Sequence, residues 1–412
     1  MTDQLAAAVE GSGRDRGESP TKDESARGDD PTRRDGTDQG PRGDGAGQGG
    51  LAPRFVDRSG ATSPAIEDGI WPPLVVPAQQ IAAEVDRLCA IPRPPNGRRA
   101  AMVVHPLAEE PGLGLAPGIR VTLEVLLPGE RTSPVRHNSA QVCFCIEGSG
   151  FSVVGGRKIA FERYDVWNTP ALTTYFHEND TGARHVRLTY SNAPVLEKLH
   201  VHFVDEQPPE VSPLKQAPSQ TALAQHPVSH LFQVGEQGPL LMSYERLINP
   251  EVVEQPVVHW PWAQVKGELD KLMSLGPAYR GRRLYLLYNP ATGRTNGTTN
   301  SFFATMTVRP PGIVDRPHRH ASAAINYFFS GSGWSRVAGR RYEWSAGDLM
   351  LTAPGWAIHN HASNDAPVYE LTIQDSPMHI ALDSLMWQED LKLPPRLLGS
   401  QRGFDTNRET VE

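Results

Sequence analysis

Two pairs of histidines in one short stretch are the residues best suited to chemistry. His318 and His320 stand at one end of PHRHASAAINYFFSGSGWSRVAGRRYEWSAGDLMLTAPGWAIHNH, and His359 and His361 at the other. Residues i and i+2 of an extended chain project to the same face, so each His-x-His sets two imidazoles side by side. Neutral imidazole is a common ligand for iron, zinc, copper and nickel. His318, His320 and His359 are therefore expected to form a three-imidazole metal site with open positions for further ligands. The competing reading is a set of ordinary core or surface histidines. Asn326 alternates onto the inner face with His320 and is a candidate to bond substrate or water. His361 shares a face with His359 and is a candidate base beside the metal. Arg319 alternates away.

The elements that must hold these groups read as short strands. Gly331, Gly333, Gly339 and Gly347 punctuate alternating apolar runs, as tight turns between strands do. The same punctuation occurs upstream. His137 matches His320, Gly148 matches Gly331, Gly150 matches Gly333, Gly156-Arg157 match Gly339-Arg340 and Asp165 matches Asp348, all offset by 183 residues (320 − 137 and 348 − 165). A constant offset means two copies of one β unit. The copies differ at the site, because Val135 replaces His318, and Phe176 rather than His177 falls opposite His359. The first copy is expected to be a degenerate barrel. Cys143 and Cys145 share one strand face and read as buried small apolar residues. His200 and His202 read as a strand edge or as packing between the barrels.

The rest of the chain bounds the answer. Its 412 residues include 38 Gly and 37 Pro, which suits turn-rich β structure. Residues 1–60 carry few aliphatic side chains and are expected to be a disordered tail. The expected order is a first barrel at 70–206, a connection and helix at 207–275, a second barrel at 276–390 and a loose tail at 391–412. Residues 78–89 (AQQIAAEVDRLC) and 260–275 (WPWAQVKGELDKLMSL) have helical apolar spacing. Net charge is −7, so no nucleic-acid partner is advertised. No apolar run approaches the roughly 20 residues that cross a bilayer, and three cysteines are too few for a disulfide framework. A cytoplasmic location without membrane contact is the expectation.

Gly312-x5-His318-x-His320 and Pro354-x4-His359 resemble the two motifs of cupin barrels. The glutamate that usually follows the histidine pair is absent, with Ala324 and Ile325 in its place. The three-histidine site that remains is similar to that of the gentisate 1,2-dioxygenase group of bicupins, which includes salicylate and 1-hydroxy-2-naphthoate dioxygenases. Asn289-Pro-Ala-Thr-Gly-Arg294, Tyr342-Glu343-Trp344, Gly347-Asp348 and Pro354-Gly355-Trp356 extend the resemblance, which covers roughly residues 70–390. It implies an all-β bicupin with a few helices, built from two double-stranded β-helix (jelly-roll) barrels. It also implies Fe(II), or another divalent metal, and assembly as a homodimer or homotetramer. One departure stands out: the group's working iron lies in the N-terminal cupin, whereas the full ligand set here lies in the C-terminal copy.

With Fe(II) held by three neutral histidines, the expected activity is dioxygen-dependent ring cleavage of a small hydroxylated aromatic acid. Arg309 and Arg336 are candidate partners for the substrate carboxylate. Trp334 and Trp356 are candidates to line an aromatic pocket. Two other readings stay open: a cupin enzyme with different metal chemistry, such as another oxygenase or an isomerase, and a non-catalytic ligand-binding bicupin.

Overall fold

The computed structural model describes residues 55–208, 231–233, 239–276, 279 and 282–404. The expected tail at 1–60, apart from its last residues, lies outside these, as do most of residues 207–235 and the end of the C-terminal tail. The chain divides into two units, Met1–Thr62 and Ser63–Glu412, and both barrels fall within the second.

Each copy of the repeat builds one six-stranded and one three-stranded antiparallel sheet. In the first copy the large sheet runs His259–Trp260, Val166–Thr169, Gln141–Glu147, His185–Ser191, Arg120–Leu126, Arg99–Val103. Its small sheet is Arg157–Phe161, Gly150–Val154, Tyr175–Glu178. In the second copy the large sheet runs Leu74–Val76, Leu349–Pro354, Ala323–Ser330, Val368–Gln374, Phe303–Arg309, Leu284–Leu286. The small sheet there is Arg340–Ser345, Ser332–Val337, His359–Ser363. These are two jelly-roll barrels in one chain.

Period-2 alternation sorts each large sheet into two buried faces. Outward residues of both barrels, among them Leu123, Phe144, Leu188, Met306, Ile325 and Phe329, meet in one shared core. Inward residues form separate smaller clusters, around Cys143, Cys145 and Trp167 in one barrel and Phe328, Trp344 and Met350 in the other. Burial on both faces explains why His185–Ser191 has no exposed residue. Cys143 and Cys145 are free and buried, and burial pushes both thiols up to about 12, so they pack as apolar groups.

The barrels exchange arms. Leu74–Val76, expected with the first barrel, pairs instead with Leu349–Leu351 of the second. The helix that follows it, Ala78–Ala90, buries Ile81, Val85 and Leu88 in the shared core. Reciprocally, His259–Trp260 pairs with Val166 and Trp167 of the first barrel, and helix Trp262–Met273 packs on Phe303–Arg309 of the second. An aspartate at the same repeat position starts each helix. Asp348 Oδ1 accepts from the Ala78 N–H at 2.7 Å, and Asp165 Oδ1 accepts from the Trp262 N–H at 2.7 Å. A carboxylate on otherwise unpaired N–H groups also meets the positive end of the helix dipole.

The paired turn glycines are obligatory. Gly148 and Gly331 have φ of 78° and 72°, and a Cβ would fall 2.2 Å from Arg184 O and 2.6 Å from Pro367 O respectively. Residues 391–404, read from sequence as loose, instead carry strand Arg396–Leu397, which pairs with Met386–Gln388. Among the described residues no helix is long and apolar enough to cross a membrane.

Candidate metal centre

His318 and His359 meet across an isolated antiparallel bridge, each N–H donating to the other's carbonyl at 3.1 and 2.9 Å. His320 follows on the short strand Arg319–His320, which pairs with Met386–Gln388. One ring nitrogen from each of the three lies within 4.8 Å of the others, and all three side chains are buried. The outer nitrogens are anchored. His320 Nδ1 lies 2.9 Å from Ser322 O, His359 Nδ1 2.9 Å from Ala357 O and His318 Nδ1 3.4 Å from Arg316 O. A carbonyl oxygen only accepts, so Nδ1 must carry the hydrogen and Nε2 keeps its lone pair. Burial, aided by the Arg282 guanidinium, holds His318 and His320 neutral far below the usual histidine range and pushes His359 down to about 3. Three neutral donors, oriented by backbone carbonyls, are what a divalent metal requires.

His361 is wired differently. The Trp344 indole N–H donates to Ser335 Oγ at 2.9 Å, and Ser335 Oγ lies 2.8 Å from His361 Nδ1. The indole occupies one of the two lone pairs of Ser335 Oγ, and the hydroxyl holds Nδ1 of His361 in place. Burial pushes His361 down to about 3, which keeps it neutral.

The triad opens into a cavity of about 280 Å³ whose walls include His361, Asn326, Arg309, Arg282, Gln374 and Trp387. Asn326 donates to Thr372 Oγ1 at 2.8 Å and accepts from Thr352 Oγ1 at 2.6 Å, which fixes its amide in the inner wall. Arg309 reaches the cavity but is already committed. It is 4% exposed and gives its N–H groups to Glu370 and Asp315 at 2.9–3.2 Å, so it is a wall pair and not a free carboxylate receptor. Arg336 is exposed on the far face of its strand, 5.8 Å from the Trp334 ring. Trp334 alternates outward from Ser335, and Trp356 is covered by the Arg319 guanidinium at 4.2 Å. None of Arg336, Trp334 and Trp356 lines the cavity.

Two residues the sequence reading did not single out for the site do line it. Trp387 lies opposite His320 in the strand pair and stacks on its imidazole at 4.9 Å between centroids. Arg282 gives Nε and Nη2 to Glu389, and its Nη1 has no such partner among the described residues.

The first barrel keeps the frame without the triad. Val135 bridges Tyr175 as His318 bridges His359. The true counterpart of His359 is therefore Tyr175, not Phe176, and the offset grows from 183 to 184 (359 − 175) after Asp165. His177 then matches His361, and both bond a serine, Ser152 at 2.7 Å and Ser335 at 2.8 Å. His137 has Nδ1 2.9 Å from Ser139 O, as His320 has Ser322 O, but its Nε2 lies 3.0 Å from the Tyr175 hydroxyl. Burial raises the phenol pKa, so the hydroxyl keeps its hydrogen and donates it to the one nitrogen left for a metal. His202 packs 6.4 Å from the His137 ring and bonds Ser139, while His200 is exposed.

Comparison with known proteins agrees with this architecture. The two-barrel fold is that of solved salicylate 1,2-dioxygenase structures. In sequence the chain is similar to 5-aminosalicylate, 1-hydroxy-2-naphthoate and gentisate 1,2-dioxygenases. Residues 303–380 match the AraC-like ligand binding domain family, wholly within the second barrel. A 5-aminosalicylate 1,2-dioxygenase of Comamonas sp. is 28% identical over 63% of the chain, a match that spans 66% of that relative, just under two thirds of its length. A 1-hydroxy-2-naphthoate 1,2-dioxygenase of Nocardioides sp. is 25% identical over 68% of the chain and 69% of the relative. The solved structure of a salicylate 1,2-dioxygenase from Pseudaminobacter salicylatoxidans superposes with a TM-score of 0.62, covering 77% of this chain and 88% of that one at 18% identity.

Proposed function

We propose that this protein is a ring-cleaving dioxygenase that acts on a small hydroxylated aromatic carboxylic acid at a metal held by His318, His320 and His359. The observation that carries the reading is the convergence of three neutral, carbonyl-anchored imidazoles on one cavity. The names of the relatives supply the reaction class, and the cavity supplies the place. Bound there, Fe(II) would provide adjacent attachment points for an ortho-hydroxy acid and the means of activating dioxygen. Both oxygen atoms end in the ring-opened product, so the reaction needs no external reductant.

The chain's own residues bind, orient and exclude water. Arg282 is the guanidinium best placed to hold the substrate carboxylate, taking the role expected of Arg309 or Arg336, because it lines the cavity and its Nη1 has no partner among the described residues. His361, the expected base, stands in the cavity wall tied to Ser335, where its neutral imidazole can share a hydrogen bond with a substrate oxygen. Asn326, tied to Thr352 and Thr372, keeps the inner wall in register. Buried walls keep the site dry and strengthen each of these contacts. Assembly as a homo-oligomer is in keeping with exposed apolar side chains such as Leu240, Leu241, Met242, Leu247 and Val252.

The test is oxygen uptake by anaerobically Fe(II)-loaded protein with salicylate, gentisate and 1-hydroxy-2-naphthoate. The expected result is one O2 consumed per ring opened with at least one of them. Stoichiometric metal without oxygen uptake on any aromatic acid would move the assignment to other metal chemistry.

A further inference from the structure

Among the described residues that line the cavity, the indole of Trp387 is the aromatic group that approaches the triad from outside the two main sheets. It stacks on His320 at 27° between planes and lies 6.3 Å from the His318 ring. Its Nε1–H donates to Glu389 Oε2 at 3.0 Å, and Glu389 is held by Arg282 at 2.9 Å. Two side chains, Glu389 and through it Arg282, thus latch the indole at the cavity wall.

The internal repeat separates what belongs to the fold from what belongs to the site. Val204 pairs with His137 as Trp387 pairs with His320. Two residues on, Glu206 bonds Arg98, as Glu389 bonds Arg282. The Arg–Glu latch is therefore common to both barrels and secures the strand. The indole is not common to both: valine stands in its place in the barrel that has no triad. A tryptophan in the second copy fills space beside the metal residues that the fold itself does not need filled.

We propose that Trp387 sets the size limit of the substrate, closing the cavity to a single aromatic ring and excluding fused bicyclic acids. This rests on the function assigned above and adds the substrate class. The cavity, about 280 Å³, falls at the small end of ligand pockets, which run from about 300 Å³ to about 1,000 Å³. A single-ring hydroxy acid would lie beside the triad with the edge of the indole as one wall, whereas a second fused ring would press on the indole and on its bond to Glu389.

The test compares the wild-type protein with Trp387→Val, a change to the residue that the first barrel carries at this place. Metal content, equilibrium dialysis of salicylate and 1-hydroxy-2-naphthoate on metal-loaded protein, and kcat/KM for both acids are measured. The expected result is unchanged metal content with a shift of about tenfold or more toward the bicyclic acid, the scale at which a pocket senses small changes in size. The shift should appear in the dissociation constants as well as in kcat/KM. Trp387→Phe should fall between the two. Equal relative affinities in wild type and Trp387→Val, with metal retained, would overturn the proposal, and so would loss of metal, which would make the indole a support for His320. Dialysis keeps the two claims apart. A size shift in binding without turnover on any aromatic acid would sustain the role of Trp387 and remove the dioxygenase reading.

Discussion

A histidine becomes a ligand or a donor according to where its hydrogen sits, and here the neighbours decide. His320 and His359 give their Nδ1 hydrogens to carbonyls and present lone pairs, whereas His361 is tied to Ser335, whose hydroxyl also accepts the Trp344 N–H. Four histidines in one cavity are thus three candidate ligands and a fourth held by a serine. Arg309 is decided in the same way. Its bonds to Glu370 and Asp315 make it part of a buried ion cluster, with Glu370 itself 2% exposed. Arg309→Ala would leave Glu370 buried without its partner, which should cost about 3–5 kcal/mol. Urea denaturation measures this, and a loss under about 1 kcal/mol, the scale of an exposed pair, would show that the cluster is not held as described.

At the scale of elements, the His-x-His pairs and turn glycines were legible because period 2 and tight turns are local. The repeat at 183 residues made both barrels legible, and the helices at 78–89 and 260–275 followed from apolar spacing. What escaped depends on strand register between distant segments. Trp387 and Arg282 reach the cavity from distant segments whose approach no local pattern announces. Trp334 and Arg336 were drawn into the site although Ser335, between them, is the residue that faces inward. A one-residue change of offset after Asp165 placed Phe176 opposite His359, and in a strand one residue reverses the face. The exchanged arms were also invisible, yet the aspartates that anchor them were in view as Asp165 and Asp348. Asp348→Ala should cost about 0.5–2 kcal/mol through loss of the cap on helix Ala78–Ala90. Asp165→Ala should cost a similar amount at helix Trp262–Met273. A loss at one site only, in thermal or urea unfolding, would mean that the two arms are not equivalent.

For the molecule as a whole, duplication has left one barrel with a complete histidine triad and the other with only its frame. The first barrel keeps the bridge, the anchored His137 and the serine-bonded His177, but Val135 and the Tyr175 hydroxyl stand where two imidazoles would be. Because the outward faces of both large sheets form one core, the silent barrel remains as a packing partner for the other. The measurement that tests this division most directly is metal content per chain after anaerobic Fe(II) loading, in wild type, His318→Ala and His137→Ala. About one metal per wild-type chain, lost in His318→Ala and kept in His137→Ala, is the result expected from a single site in the second barrel. Metal that survives in His318→Ala and disappears in His137→Ala would contradict it.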